Sequence, residues 1–137
     1  MTESRSMAEV LADIADAIAK VQRFTAGMDY ETFAADDKTT FAVVRALEVM
    51  GEAAKAVPLS VRSDYPELPW KTLAGMRDKL IHAYMHVNLV VVWKTVTDDL
   101  PVLVVAVQRA VEAIREEASE GAEPKPQRAE GDASREK

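Results

Sequence analysis

From Met7 onward, apolar residues recur at steps of four and three: Leu11, Ile14, Ile18 and Val21 follow it in turn. That is the period of one face of an α-helix. Val10, Ala17 and Phe24 widen the stripe into a face that must pack on other helices. Ser6 stands before the stripe with Glu9 three residues on, the pattern of a capping box, so a helix is expected to begin near Ser6. Gly27 is expected to end it.

A second stripe, Val43, Leu47, Met50, Ala54 and Val57, repeats the same spacing. Asp36 or Asp37 can cap its start, and Pro58 stops it. Its other face carries Arg45, Glu48 and Glu52, neighbours at three- and four-residue steps. A short helical turn is expected after Ser60. Pro69 suits the first turn of a third long helix, running from Trp70 towards Tyr84. Asn88 can cap a fourth helix. Asp98 or Asp99 can cap a fifth, with Pro101 tolerated in its first turn; that helix fades near Glu117. No long stretch alternates apolar with polar, so the expected fold class is all-α, a bundle of four to five helices. From Ser119 the chain carries prolines, glycines, mixed charge and almost no bulky apolar residue. Such a segment cannot bury enough surface to offset chain entropy. The expected organisation is one helical domain over 1–118 and a disordered tail over 119–137, with no internal repeat.

Composition agrees with this reading and narrows the function. Of 137 residues, 48% are apolar but only 6% aromatic, so the core must be built from Leu, Val, Ile, Met and Ala. There is no cysteine, which excludes disulfides and thiolate chemistry and suits a reducing cytoplasm. The N-terminus lacks the basic-then-apolar order of a signal peptide. The apolar runs near Leu89–Trp93 and Leu100–Val107 are far short of the roughly 20 residues that span a bilayer. A cytoplasmic protein without a membrane partner is expected. The net charge of −6 disfavours a generic nucleic-acid coat, whose affinity comes from neutralising phosphates. Any work on nucleic acid must therefore use a local pocket.

The third helix holds the unusual pattern. At about 100° per residue, Trp70, Leu73, Leu80, Ile81 and Tyr84 all lie within about 60° of Arg77. A guanidinium in the middle of an apolar stripe needs partners. It can pair with a carboxylate such as Glu48 or Glu52, or it can line a cleft between subunits and face an anion. His82 lies about 140° round an ideal helix from Arg77, so the two side chains do not meet on one regular helix. Either the helix deforms near its end, or a second subunit completes the site. Asp78, four residues before His82, can accept from the imidazole and fix its tautomer. A histidine with a carboxylate and an arginine nearby is a candidate for acid–base work. His86 stands four residues after His82, a spacing that can share a metal, but no third ligand follows a matching pattern.

The run Arg77-Asp78-Lys79-Leu80-Ile81-His82-Ala83-Tyr84 resembles the Arg-x4-His-x-Tyr signature of HepT-like HEPN proteins. The residue after the arginine, often Asn in that family, is Asp78 here. The likeness extends to Phe33–Thr39, Arg45–Lys55, Pro69–Arg77, Val91–Trp93 and Asp99–Pro101, covering about residues 5 to 117. The resemblance implies a HEPN-type bundle and a metal-independent endoribonuclease, the toxin of a toxin–antitoxin pair. It implies a homodimer whose arginines and histidines line a shared cleft, and a nucleotidyltransferase antitoxin of the MntA type that adenylylates the motif tyrosine. On this chain it makes Arg77 the holder of the scissile phosphate and His82 the general acid or base, with RNA as substrate. It makes Tyr84 the modification site and implies no cofactor. Tyr84 falls about 20° from Arg77 on an ideal helix, so bulk and charge added there would reach the same cleft. It can equally serve as a core or interface aromatic. Arg45, Glu48 and Glu52 can orient Arg77, contact a second subunit, or form a solvated face. A HEPN homodimer that binds a nucleotidyltransferase or a nucleotide, without cleaving, is the other reading of the same residues.

Overall fold

The structure, a computed structural model, describes residues 6–81 and 87–122. Within these bounds the side chains of 77, 79–81 and 120–122 are not described. The described residues form helices and no strand. The expected all-α HEPN-type bundle is what the chain adopts.

Helix α1 (Met7–Thr25) starts as its sequence requires. Ser6 Oγ accepts from the Glu9 amide at 3.1 Å, and the Ser6 amide donates to Glu9 Oε1 at 3.3 Å. These bonds satisfy two of the amides that a helix start leaves open. Leu11, Ile14, Ile18 and Val21 are fully buried. Gly27, at φ 78°, makes the left-handed turn that follows α1.

A short helix, α2 (Tyr30–Ala35), was not foreseen, because six residues are too few to show a period. Asp29 caps it: Oδ1 accepts from the Thr32 amide at 2.8 Å and from the Thr32 hydroxyl at 2.7 Å. Those two bonds hold the Asp29 carboxyl below its usual range. The stability this cap contributes is complete above the ordinary carboxylate pKa and disappears as pH falls through the lowered value. The role of α2 is to bury Phe33, whose ring lies 4.8 Å from that of Trp93.

Helix α3 (Asp37–Lys55) is the central element, packed on α1, α2 and α5. Asp36 is its cap, accepting from the Thr39 amide at 3.2 Å; Asp37 is the first helical residue. Val43, Leu47, Met50 and Ala54 are fully buried. The helix ends at Lys55, before Pro58, which opens the single turn α4 (Leu59–Arg62). Arg62 finishes α3 from outside: Nε donates to the Val57 carbonyl at 3.0 Å and Nη2 to that of Ala54 at 3.2 Å. Its guanidinium lies over the Trp70 ring at 5.6 Å, and Trp70 Nε1 donates to the Tyr65 carbonyl at 3.0 Å. Orphan carbonyls at a helix end are thereby satisfied by a charged donor.

Helix α5 (Trp70–Ile81) begins one residue after Pro69, whose carbonyl accepts from the Leu73 amide at 3.0 Å. Proline therefore stands at the cap rather than within the first turn. Leu73 is fully buried and Met76 nearly so. Asn88 caps α6 (Leu89–Lys94) as expected, with Oδ1 accepting from Val90 and Val91.

One boundary differs from expectation. Neither Asp98 nor Asp99 caps a new helix. The chain passes without a break from α6 through a π-helical turn (Thr95–Asp99) into α7 (Leu100–Ala122). The Leu100 amide reaches back to the Thr95 carbonyl. Pro101 follows at once, and it explains the wide turn: it has no amide to give, and its ring would collide with a carbonyl one regular turn back. Loosening the helix ahead of the proline lets it continue. The hydroxyls of Thr95 and Thr97 donate back to the carbonyls of Val91 and Trp93, each at 3.0 Å. Helix α7 packs on α1 and runs past Glu117 to Ala122. The rest of the expected tail lies outside the described residues.

Candidate functional site

Arg77 and Asp78 sit in the last turn and a half of α5, on the helix that α3 holds along its length. His82, Tyr84 and His86 lie outside the described residues, as does the side chain of Arg77. What is described is the frame around them.

On one side of the frame is Asp78. Its side chain is 62% exposed, and Oδ1 accepts from Lys55 Nζ at 2.9 Å, joining the end of α3 to α5. Lys55 was not singled out from sequence: it is 23 residues away, and only the packing of α3 on α5 makes the two neighbours.

On the other side is the outward face of α3. Arg45 Nη1 and Glu48 Oε1 stand 3.5 Å apart, with Arg45 73% and Glu48 26% exposed. An exposed pair at that separation contributes at most about 1 kcal/mol. Glu48, one of two carboxylates suggested as partners for Arg77, thus has Arg45 beside it. Glu52 is exposed on the same face.

Between α3 and the start of α6 runs an open groove of about 470 Å³. Its walls are Phe41, Val44, Arg45 and Glu48 on α3, and Val87 and Leu89 across from them. Val87 is the first described residue after the segment holding His82 and Tyr84. Val87 brings the chain back against the outer face of α3. Phe41, 79% exposed, was missed as a functional candidate. A signal for it existed. On an ideal helix it lies within about 40° of Arg45, Glu48 and Glu52, so it is an aromatic out of phase with the stripe that builds the core.

Among the described residues no three His, Asp or Glu side chains are grouped to hold a metal ion. No described helix is long and apolar enough to cross a membrane. Tyr65 has its pKa raised, first by burial and then by the carboxylates of Glu117, Asp64 and Glu67, so it stays neutral.

The model of a family described as ribonuclease HepT-like matches residues 14–114, a span that contains α5, the motif segment and the groove. The chain belongs to the HepT-like ribonuclease family. It is 50% identical over 99 residues to a protein of Thermococcus cleftensis named probable ribonuclease HepT, covering 72% of this chain and 90% of that one. Two proteins of Methanocaldococcus jannaschii, named as candidate RNases, are each 44% identical over 97 residues. Those alignments cover 71% of this chain and 84% and 80% of theirs. No solved structure matches. The HepT-like match spans the motif from Arg77 to Tyr84.

Proposed function

We propose that this HepT-like chain is an endoribonuclease toxin that cleaves RNA without a metal, in a cleft shared by two subunits. The observation that carries the reading is a ribonuclease-family match that spans the whole Arg77–His82–Tyr84 motif. Arg77 holds the scissile phosphate and offsets the charge that develops on it. His82 moves the proton, with Asp78 orienting its ring. In the metal-independent route the 2′-oxygen to phosphorus bond forms as the bond from phosphorus to the 5′-oxygen breaks. One proton leaves the 2′-hydroxyl and one reaches the departing 5′-oxygen. Arg77 and His82 are about 140° apart on a regular helix, which supports a site completed by a second copy. The net charge of −6 is consistent with recognition confined to a small basic centre.

Tyr84 is the regulatory position in this proposal. A nucleotidyltransferase antitoxin adds adenylate to its hydroxyl, and the added phosphate and base block the cleft by charge and by bulk. A non-cleaving homodimer that binds nucleotide or a nucleotidyltransferase is favoured only by the acidic surface.

The test is cleavage of RNA in the presence of a chelator by the purified chain and by His82→Ala. The wild type is expected to cut, and His82→Ala to lose at least about a hundredfold in rate while keeping its helical content. An unchanged rate in the variant removes His82 from the mechanism. Intact mass after incubation with the nucleotidyltransferase and ATP reads the switch: added adenylate and lost cleavage should rise together, and Tyr84→Phe should take up none.

A further inference from the structure

A chain of net charge −6 can hold RNA only where cations gather locally. Two of the grooves along α3 do not meet that need. One sets Asp37 and Glu48 beside Arg45, and the other sets Asp13 and Glu52 beside the same arginine. A different groove, of about 720 Å³, runs between α4 and α5. Arg62 and Lys71 line it, and among the described residues Asp78 is its single carboxylate. Asp78 is already matched by Lys55 at 2.9 Å. Among the described residues neither Arg62 nor Lys71 pairs with a carboxylate. The balance of charge is therefore positive, the reverse of the two grooves on α3.

Between the cations the walls are apolar. Leu59 is 75% exposed, and the Trp70 ring lines the groove beside it. The indole is fixed by its bond to the Tyr65 carbonyl and by the Arg62 guanidinium 5.6 Å from its centre. That guanidinium gives Nε and Nη2 to the carbonyls of Val57 and Ala54, which leaves the hydrogens of Nη1 for a ligand. Lys71, Gly75 and Asp78 follow one another at steps of four and three, so the groove tracks one face of α5 for ~10 Å. It ends at Asp78, the residue next to Arg77 in the motif. We propose that this groove binds a stretch of single-stranded RNA next to the scissile bond, with bases against Leu59 and Trp70 and phosphates on Lys71 and Arg62. The inference rests on the ribonuclease reading above and adds where the substrate is held outside the cutting centre. Cations beside an aromatic wall suit an unpaired strand, which offers both phosphate and the flat faces of its bases. A duplex keeps those faces stacked inside and has no use for the apolar wall.

The experiment has two arms, both on the full chain with helical content checked. Binding is read by fluorescence anisotropy of a labelled single-stranded RNA of about a dozen nucleotides, 2′-O-methylated so that it cannot be cut. Cleavage is read on the unblocked RNA and on a dinucleotide, which spans the scissile bond alone. Lys71→Glu puts an acid in the first turn of α5, where the helix dipole favours it. Gly75→Glu replaces a poor helix former at a position where a new Cβ meets nothing within 4 Å. Each should weaken binding about tenfold and raise KM for the longer RNA alike, with kcat and dinucleotide cleavage unchanged. Lys71→Met should lower the slope of log affinity against log salt by about 0.7. Val102→Glu, which adds the same charge at an exposed valine on α7, should match the wild type throughout. If one groove variant misfolds, the other decides. Binding unchanged in both Glu variants overturns the groove, and a wild type that still cleaves keeps the ribonuclease reading. Weakened binding by a chain that cuts neither substrate upholds the groove and overturns the ribonuclease reading. Dinucleotide cleavage lost in a folded Lys71→Glu puts Lys71 at the cutting centre and overturns the separate subsite.

Discussion

Helix α3 has two faces built from the same 19 residues, and they differ in kind. The inward face carries Val43, Leu47, Met50 and Ala54, all sealed from solvent between α1 and α5. The outward face carries Phe41, Arg45, Glu48 and Glu52, and leaves a phenyl ring 79% exposed. Burial explains every residue of the first set. It does not account for the aromatic in the second, which the core leaves open. The contrast can be tested by asking which face stability depends on.

The strongest way to test that contrast is to damage the inward face. Leu47→Ala removes a fully buried side chain from the helix that touches most of the bundle. It should lower unfolding free energy by about 2–5 kcal/mol, read by denaturant titration of helical circular dichroism. A loss below about 1 kcal/mol would show that the inner stripe is less tightly packed than its burial indicates. A smaller effect belongs to the cap that starts both faces together. Asp36→Ala should cost about 1 kcal/mol in the same titration, since it leaves the Thr39 amide without its acceptor.

The smallest change in intrinsic stability is expected on the outward face. Phe41→Ser should leave the unfolding free energy of the isolated chain within about 0.5 kcal/mol of wild type. If the shared-cleft proposal holds, the wild-type midpoint should rise with protein concentration by mass action, and any difference in that slope for Phe41→Ser reads whether this face takes part. A destabilisation as large as that of Leu47→Ala would mean that Phe41 serves the core after all, and the contrast between the two faces would fail.

Membership of the HepT-like ribonuclease family extends the same contrast to α5. Its buried Leu73 and Met76 tie it to the bundle, while Asp78 on its other side is exposed and paired to Lys55. One face of the helix is thus fixed in the bundle while the other faces solvent.

Periodicity alone was enough to locate α1 and α3, because each buries a stripe that repeats every turn, and a stripe is visible in one dimension; the start of α5 was legible from Pro69. The capping residues Ser6 and Asn88 were legible for a related reason: a cap acts within three residues of itself. The motif from Arg77 to Tyr84 was likewise readable as a short run. Other features depended on residues distant in the chain. Helix α2 exists because Phe33 finds Trp93, 60 positions on. The unbroken passage from α6 into α7 turns on how a π-helical turn makes room for Pro101, where a local reading put a cap at Asp98 or Asp99. Lys55 meets Asp78 only because α3 and α5 pack side by side, and Phe41 and Val87, distant in the chain, line one groove. Sequence determines which residues want to be buried and where a helix can begin, since both are properties of a few neighbouring positions. Which surface remains open once every helix has found its partner is a property of the whole packing, and the tertiary structure alone decided it.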